Sequence, residues 1–117
     1  MSKADEKIIL RNAKDIQLED AHGKAGKRRV IFSGIPKSKI SAVTIGYLPK
    51  GGVFDWHMHD DLDEIMFIMK GKALAESRTQ KLKAGKGSFI FFPHGIEHRQ
   101  SNIGSGELVA EFMRIKI

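Results

Sequence analysis

WHMHDDLDE, residues 56–64, is the stretch on which the reading of this chain turns. Two histidines stand two positions apart, four residues follow, and a carboxylate closes the run. On a β-strand, positions i and i+2 share a face, so His57 and His59 can both point inward. Glu64 has the wrong parity for one continuous strand with His57. A turn through Asp60-Asp61-Leu62-Asp63 resolves this, reversing the chain so that Glu64 opens the neighbouring strand beside the two imidazoles. Further on, GSFIFFPHGIEHRQSN, residues 87–102, brings His98 in through a second hairpin bent at Pro93 and Gly95. Three neutral imidazoles and one carboxylate make a mixed nitrogen and oxygen set suited to a divalent first-row metal. The competing reading is four ordinary core or surface side chains satisfied by hydrogen bonds.

The rest of the chain reads as strands. Apolar, β-branched or aromatic runs recur at Arg28–Ser33, Ser41–Leu48, Val53–His59, Glu64–Met69, Ala73–Gln80, Ser88–Phe92, Glu97–Ser101 and Leu108–Ile117. Turn-forming residues separate them, which predicts an antiparallel sandwich or barrel. Only Lys14–Asp20 reads as a short helix or turn. Glu64–Met69 and Ser88–Phe92 are apolar on both faces, whereas a sheet with one wet face alternates. A second copy of the chain covering the outer face is therefore expected, with Ile8-Ile9-Leu10 as the competing cover. Homodimerisation follows from the first choice.

Length and composition narrow the classes. The 117 residues make one domain, and 41% hydrophobic against 29% charged residues is globular rather than disordered. No apolar run reaches a membrane span, and the charged MSKADEKIILRN start is no signal peptide, so a cytoplasmic protein with no membrane partner is expected. With no cysteine, any metal must sit on nitrogen and oxygen. The net charge is +6 and is concentrated in residues 1–40, where ten Lys/Arg face five Asp/Glu. The basic run Lys24–Arg29 lacks interleaved aromatics for stacking on bases, which argues for a solvated loop and no nucleic-acid partner.

The spacings are specific. Gly51, His57, His59, Glu64 and Gly71, then Gly87, Pro93, Gly95, His98 and Asn102, fall at the fixed positions of the two motifs that define the cupin superfamily. The chain resembles that family closely over Gly51–Asn102 and loosely in the flanking strands. The resemblance implies an all-β, antiparallel jelly-roll β-barrel, often dimeric. Its single domain would span residues 1–117, with an arm at 1–27 packing on or swapping at the barrel and a core at 41–117. It places metal ligands on His57, His59, Glu64 and His98, holding one divalent transition metal such as Fe, Mn, Ni or Zn. One departure is Ser88, where many members carry an acid, and it is no ligand position.

The implied activity is that of a small-molecule metalloenzyme whose substrate chelates the metal. Dioxygenase chemistry stands slightly ahead of isomerase, epimerase or lyase chemistry, since no second acid–base residue is evident. The alternative is a non-catalytic ligand-binding or sensory module. His94 and His22 read as surface residues. Trp56 and Met58 read as packing away from the ligands, and Asn102 as the cap of a turn. Asp60, Asp61 and Asp63 read as a solvated turn beside the metal.

Overall fold

The computed structural model describes residues 7–117. Ten strands form two antiparallel sheets. They are β1 (Glu19–Ala21), β2 (Gly26–Ser33), β3 (Ile40–Leu48), β4 (Val53–His57), β5 (Leu62–Lys70), β6 (Lys72–Ser77), β7 (Lys81–Gly85), β8 (Phe89–Phe92), β9 (His98–Asn102) and β10 (Leu108–Lys116). A six-stranded sheet runs β1-β2-β3-β10-β5-β8 and a four-stranded sheet runs β4-β9-β6-β7. The expected all-β antiparallel barrel is thus observed. The helix or turn expected over Lys14–Asp20 is a short 3-10 turn at Ala13–Asp15, capped by the Asn12 side chain, and Glu19 and Asp20 already belong to a strand.

The core lies between the sheets and is set by alternation. Glu64, Met66 and Ile68 on β5, Leu108, Ala110 and Phe112 on β10, and Leu48 on β3 are all buried. Facing them are Phe54 on β4, Ala73 and Ala75 on β6, and His98, Gln100 and Asn102 on β9. Of the buried polar residues on β9, Asn102 is fully satisfied by hydrogen bonds. Asn102 donates from Nδ2 to the carbonyls of Leu48 (2.9 Å) and Gly106 (2.8 Å), and its Oδ1 accepts from the Gly104 amide (3.0 Å). It ties the β3 end to the β9–β10 turn, as a capping residue should.

Two connections make the site, and neither is the within-sheet hairpin that the sequence predicted. β4 lies in the four-stranded sheet, while β5 pairs with β10 and β8 in the other. The segment between His57 and Leu62 therefore crosses from sheet to sheet, and Glu64 faces the histidines across the interior rather than beside them. β8 to β9 makes the same crossing back. The two crossings are tied to each other: the Gly95 amide donates to the His59 carbonyl (2.8 Å), and the His94 amide donates to Asp63 Oδ1 (2.9 Å). Gly95 has a φ of 78°, left-handed backbone that a glycine adopts without Cβ strain.

The segment Ile8-Ile9-Leu10 forms no strand and covers no sheet; Ile8 is 99% and Leu10 94% exposed. β1 and the start of β2, within the stretch read as an arm, instead form the edge of the six-stranded sheet. Its first residues, 1–6, lie outside the described part. No helix among the described residues is long and apolar enough to cross a membrane.

Candidate metal centre

His57 ends β4, and a register shift on that strand decides where it points. Phe54 pairs with Gln100 and His57 with His98, so three steps on β4 match two on β9. This bulge turns both Phe54 and His57 inward, which regular alternation would forbid. Trp56 is left on the outer face, where the guanidinium groups of Arg78 and Arg99 lie over its ring at 3.8 Å and 4.8 Å. Trp56 is therefore a packing residue, as expected.

The four predicted side chains converge. One ligand atom from each of His57, His59, Glu64 and His98 lies within 4.8 Å of all the others. Glu64 Oε1 is 3.7 Å from His98 Nε2, and its Oε2 is 3.9 Å from His59 Nε2. Glu64 and His98 are buried, with His57 and His59 half-buried above them.

The hydrogen bonds around these rings choose their tautomers. Nδ1 of His57 lies 2.6 Å from the Asp55 carbonyl, and Nδ1 of His98 lies 3.1 Å from the Ile96 carbonyl. A carbonyl only accepts, so each Nδ1 carries the proton and each Nε2 presents a lone pair inward. Arg114 donates from Nε to Glu64 Oε2 at 2.8 Å and fixes the carboxylate from the opposite side.

Electrostatics keeps the set in its ligating form. Burial works to raise the Glu64 pKa, but the facing His98 ring and the hydrogen bond and charge of Arg114 outweigh it, and Glu64 falls to about 2. Burial pulls His57 and His59 below 6.5, with the facing carboxylate opposing the shift. Glu64, His57 and His59 are thus in metal-binding protonation states near neutrality.

His59 Nε2, Glu64 Oε1 and His98 Nε2 are buried and have no hydrogen-bond partner. Three unpartnered polar atoms facing one another in a protein interior are costly unless something binds them. A cation among them removes that cost, so the donor set fits the divalent ion the sequence implied.

The remaining polar residues sort themselves by position. His94 sits in the β8–β9 turn and pairs with Asp63 at 2.9 Å, outside the cluster. Those hydrogen bonds from His94 hold the Asp63 carboxyl below its usual range. Asp63 is thereby a fastener between the two crossings and not a free gate. Glu76 makes two hydrogen bonds to Arg99 on the outer face (3.0 and 3.1 Å), and Glu111 alternates with buried Ala110 and Phe112. Neither joins the His57, His59, Glu64 and His98 cluster.

His22 is exposed, as expected, but its ring stacks on Phe54 (centroids 4.4 Å) and meets the edge of His57 (4.9 Å). Burial of the ring, followed by the nearby His57, pulls its pKa down to about 4. His22 and Arg28, on the β1–β2 hairpin, line one cavity with His57, Glu64, Thr44, Gln100 and Arg114. The basic run of that hairpin is matched with acids, Lys27 to Asp20 and Arg28 to Glu19. No local sequence pattern marks His22, because its contacts are made across strands.

A jelly-roll barrel in which three imidazoles and one carboxylate gather closely enough to hold a metal defines the class of fold and site. The chain belongs to the cupin domain family, whose profile matches residues 44–113. Among solved structures the fold is similar to that of a predicted oxalate decarboxylase from Thermotoga maritima. The TM-score is 0.85 at 19% identity, covering 93% of this chain and 100% of that one. KdgF from Halomonas sp. gives 0.79 at 15% identity, covering 95% and 96%. The polyketide cyclase RemF from Streptomyces resistomycificus gives 0.77 at 14%, covering 93% and 80%. In sequence, an uncharacterised protein of Methanocaldococcus jannaschii is 29% identical over 75 residues, 64% of this chain and 57% of that one. The match thus spans a little over half of that relative.

Proposed function

We propose that this protein is a metal-dependent enzyme acting on a small substrate that offers oxygen donors to the ion held by His57, His59, Glu64 and His98. The observation that carries this is the trio of buried, unpartnered ligand atoms, His59 Nε2, Glu64 Oε1 and His98 Nε2, beside a cavity. A divalent ion bound there supplies a Lewis acid next to the bound substrate. The chain's own contribution is to orient the ligands through Arg114 and the Asp55 and Ile96 carbonyls, and to present a polar wall.

On the sequence alone, oxygen chemistry stood slightly ahead. The charged groups around the cavity support the opposite order. Phe54 and Phe112 give the cavity an apolar side, Met66 and Ile68 are wholly buried in the core, and the rest of the wall carries Arg28, Arg114, Thr44 and Gln100. Fixed cations favour reactions in which negative charge develops on substrate oxygen, which is the demand of isomerase and lyase chemistry. The resemblance to a predicted oxalate decarboxylase and to a polyketide cyclase is one of fold, and supports no particular reaction.

The test starts from elemental analysis of protein purified without added metal or chelator. The metal-loaded protein is then offered a panel of 2-oxo and 2-hydroxy acids, with dioxygen uptake and solvent-deuterium incorporation followed in parallel. Deuterium incorporation or a new product without dioxygen uptake is expected. Dioxygen uptake would restore the dioxygenase reading. Ligands that raise the melting temperature yet return unchanged and undeuterated would make it a binding module.

A further inference from the structure

The cavity wall holds polar groups that the metal does not use. Gln100 follows His98 by two positions on β9, faces inward, and is 1% exposed. Its amide Oε1 is buried without a hydrogen-bond partner. Thr44, also buried, faces the same space from β3. Across the cavity stand two guanidinium groups. Arg114 uses Nε on Glu64, and Arg28 uses Nε on Glu19, so the hydrogen bonds of both leave the terminal nitrogens of the fork to spare.

We infer that this wall is a subsite for a small 2-hydroxycarboxylate, with Arg28 and Arg114 taking its carboxylate and Gln100 its hydroxyl. The inference rests on the metal-centre reading above. A planar guanidinium offers paired N–H donors that match a carboxylate, and two of them over one cavity select an anion. The unpartnered amide is the second, independent observation. A buried acceptor needs a donor, and a hydroxyl provides one. A hydroxyl also accepts, so the match survives exchange of the amide oxygen and nitrogen. A neutral sugar or a bare hydrocarbon would leave the spare terminal N–H donors of the two guanidinium groups without a matching acceptor. A simple carboxylate would leave Gln100 without a donor.

The experiment uses cobalt(II)-loaded protein, whose visible spectrum reports on ligands at the centre, and three probes: glycolate, glycolamide and acetate. Cobalt binding is measured first for each variant. Glycolate should bind at least tenfold more tightly than the other two. Arg28→Gln should weaken glycolate about tenfold, leaving glycolamide and cobalt affinity unchanged. Gln100→Leu should weaken glycolate but not acetate. Intrinsic differences in chelation among the probes cancel in these wild-type-to-variant ratios. Equal glycolate affinity in wild type and Arg28→Gln overturns the subsite even if cobalt binds well. If the wild-type protein takes up no cobalt, the metal-centre reading fails first and the subsite falls with it. Should Gln100→Leu not fold, Arg28→Gln on the half-exposed hairpin decides alone.

Discussion

At the scale of single residues, two histidines of the second motif are told apart by what surrounds them. His98 is buried with Nδ1 committed to the Ile96 carbonyl and Nε2 unpartnered, while His94 is half-exposed and paired with Asp63. His98→Ala should lower metal affinity at least 100-fold and leave a folded barrel, read by metal titration and circular dichroism. Global unfolding would mean that the ion is structural. His94→Ala should leave metal content unchanged. Arg114→Met removes the donor that holds Glu64, and loss of such a supporting partner lowers metal affinity by about 10- to 100-fold.

The pKa shifts of the ligands also set a pH dependence. His57 and His59 are lowered by burial, so acid must compete with the metal for imidazoles that resist protonation. Metal should be retained at neutral pH and released as pH falls below the ordinary histidine value of 6.5. Glu64, at about 2, stays ionised throughout that release. In the metal-free protein the sign is the same. The unfolded chain takes up protons on these histidines near 6.5 and the folded chain only at lower pH, so stability falls on acidification through that range. His22, at about 4, extends the loss further down. Urea unfolding midpoints that rise between pH 7 and pH 5 would contradict this.

At the scale of elements, what matters is how the sheet-to-sheet connections are locked. Asn102 makes three hydrogen bonds from a buried position, two as donor and one as acceptor. Asn102→Ala strips partners from two carbonyls and an amide and should destabilise the barrel by about 3 kcal/mol, measured by urea denaturation with metal content unaffected. A change under about 0.5 kcal/mol would mean water replaces the side chain at no cost. β1 and β7 were not legible beforehand. Glu19-Asp20-Ala21 is acidic and short, and is a strand because Gly26–Arg28 pairs with it. Lys81–Gly85 carries lysines at alternate positions, and only pairing with β6 brings Ala84 against the core, while Leu82 stays exposed. Strand propensity is a weak local signal, and both elements are made by their neighbours.

At the scale of the molecule, the outer face of the six-stranded sheet calls for a partner. Ile65, Phe67 and Met69 on β5, Val109 and Met113 on β10, Val43 and Ile45 on β3, and Phe89 and Phe91 on β8 alternate with the buried residues and so face outward. Phe89 is 72% and Phe91 58% exposed, and the Phe67 and Phe89 rings lie 4.4 Å apart. We propose that a second copy covers this face. Four strands at about 4.8 Å spacing and about 3.3 Å rise make a surface of roughly 500 Å². That falls short of the roughly 800 Å² per partner of a stable interface, and the exposed Ile8 and Leu10 would supply the difference. Light scattering should give a dimer mass, and Phe91→Lys together with removal of residues 1–10 should give a folded monomer. A wild-type monomer at high micromolar concentration would refute it.

Read by itself, the sequence determined the class of fold and which four side chains, His57, His59, Glu64 and His98, come together. Turn residues and apolar alternation are local properties, and the spacings of the glycines and histidines around residues 51–102 are written in the chain. What needed the tertiary structure was everything made by contact between distant strands. The bulge that turns Phe54 and His57 the same way, the crossing that sets Glu64 opposite the histidines, His22 over Phe54, and Arg28, Arg114 and Gln100 around one cavity are of this kind. The physical reason is that ligand spacing is constrained along the chain, whereas a cavity wall is assembled from side chains of different strands whose inward or outward facing is fixed only when the two sheets pack together.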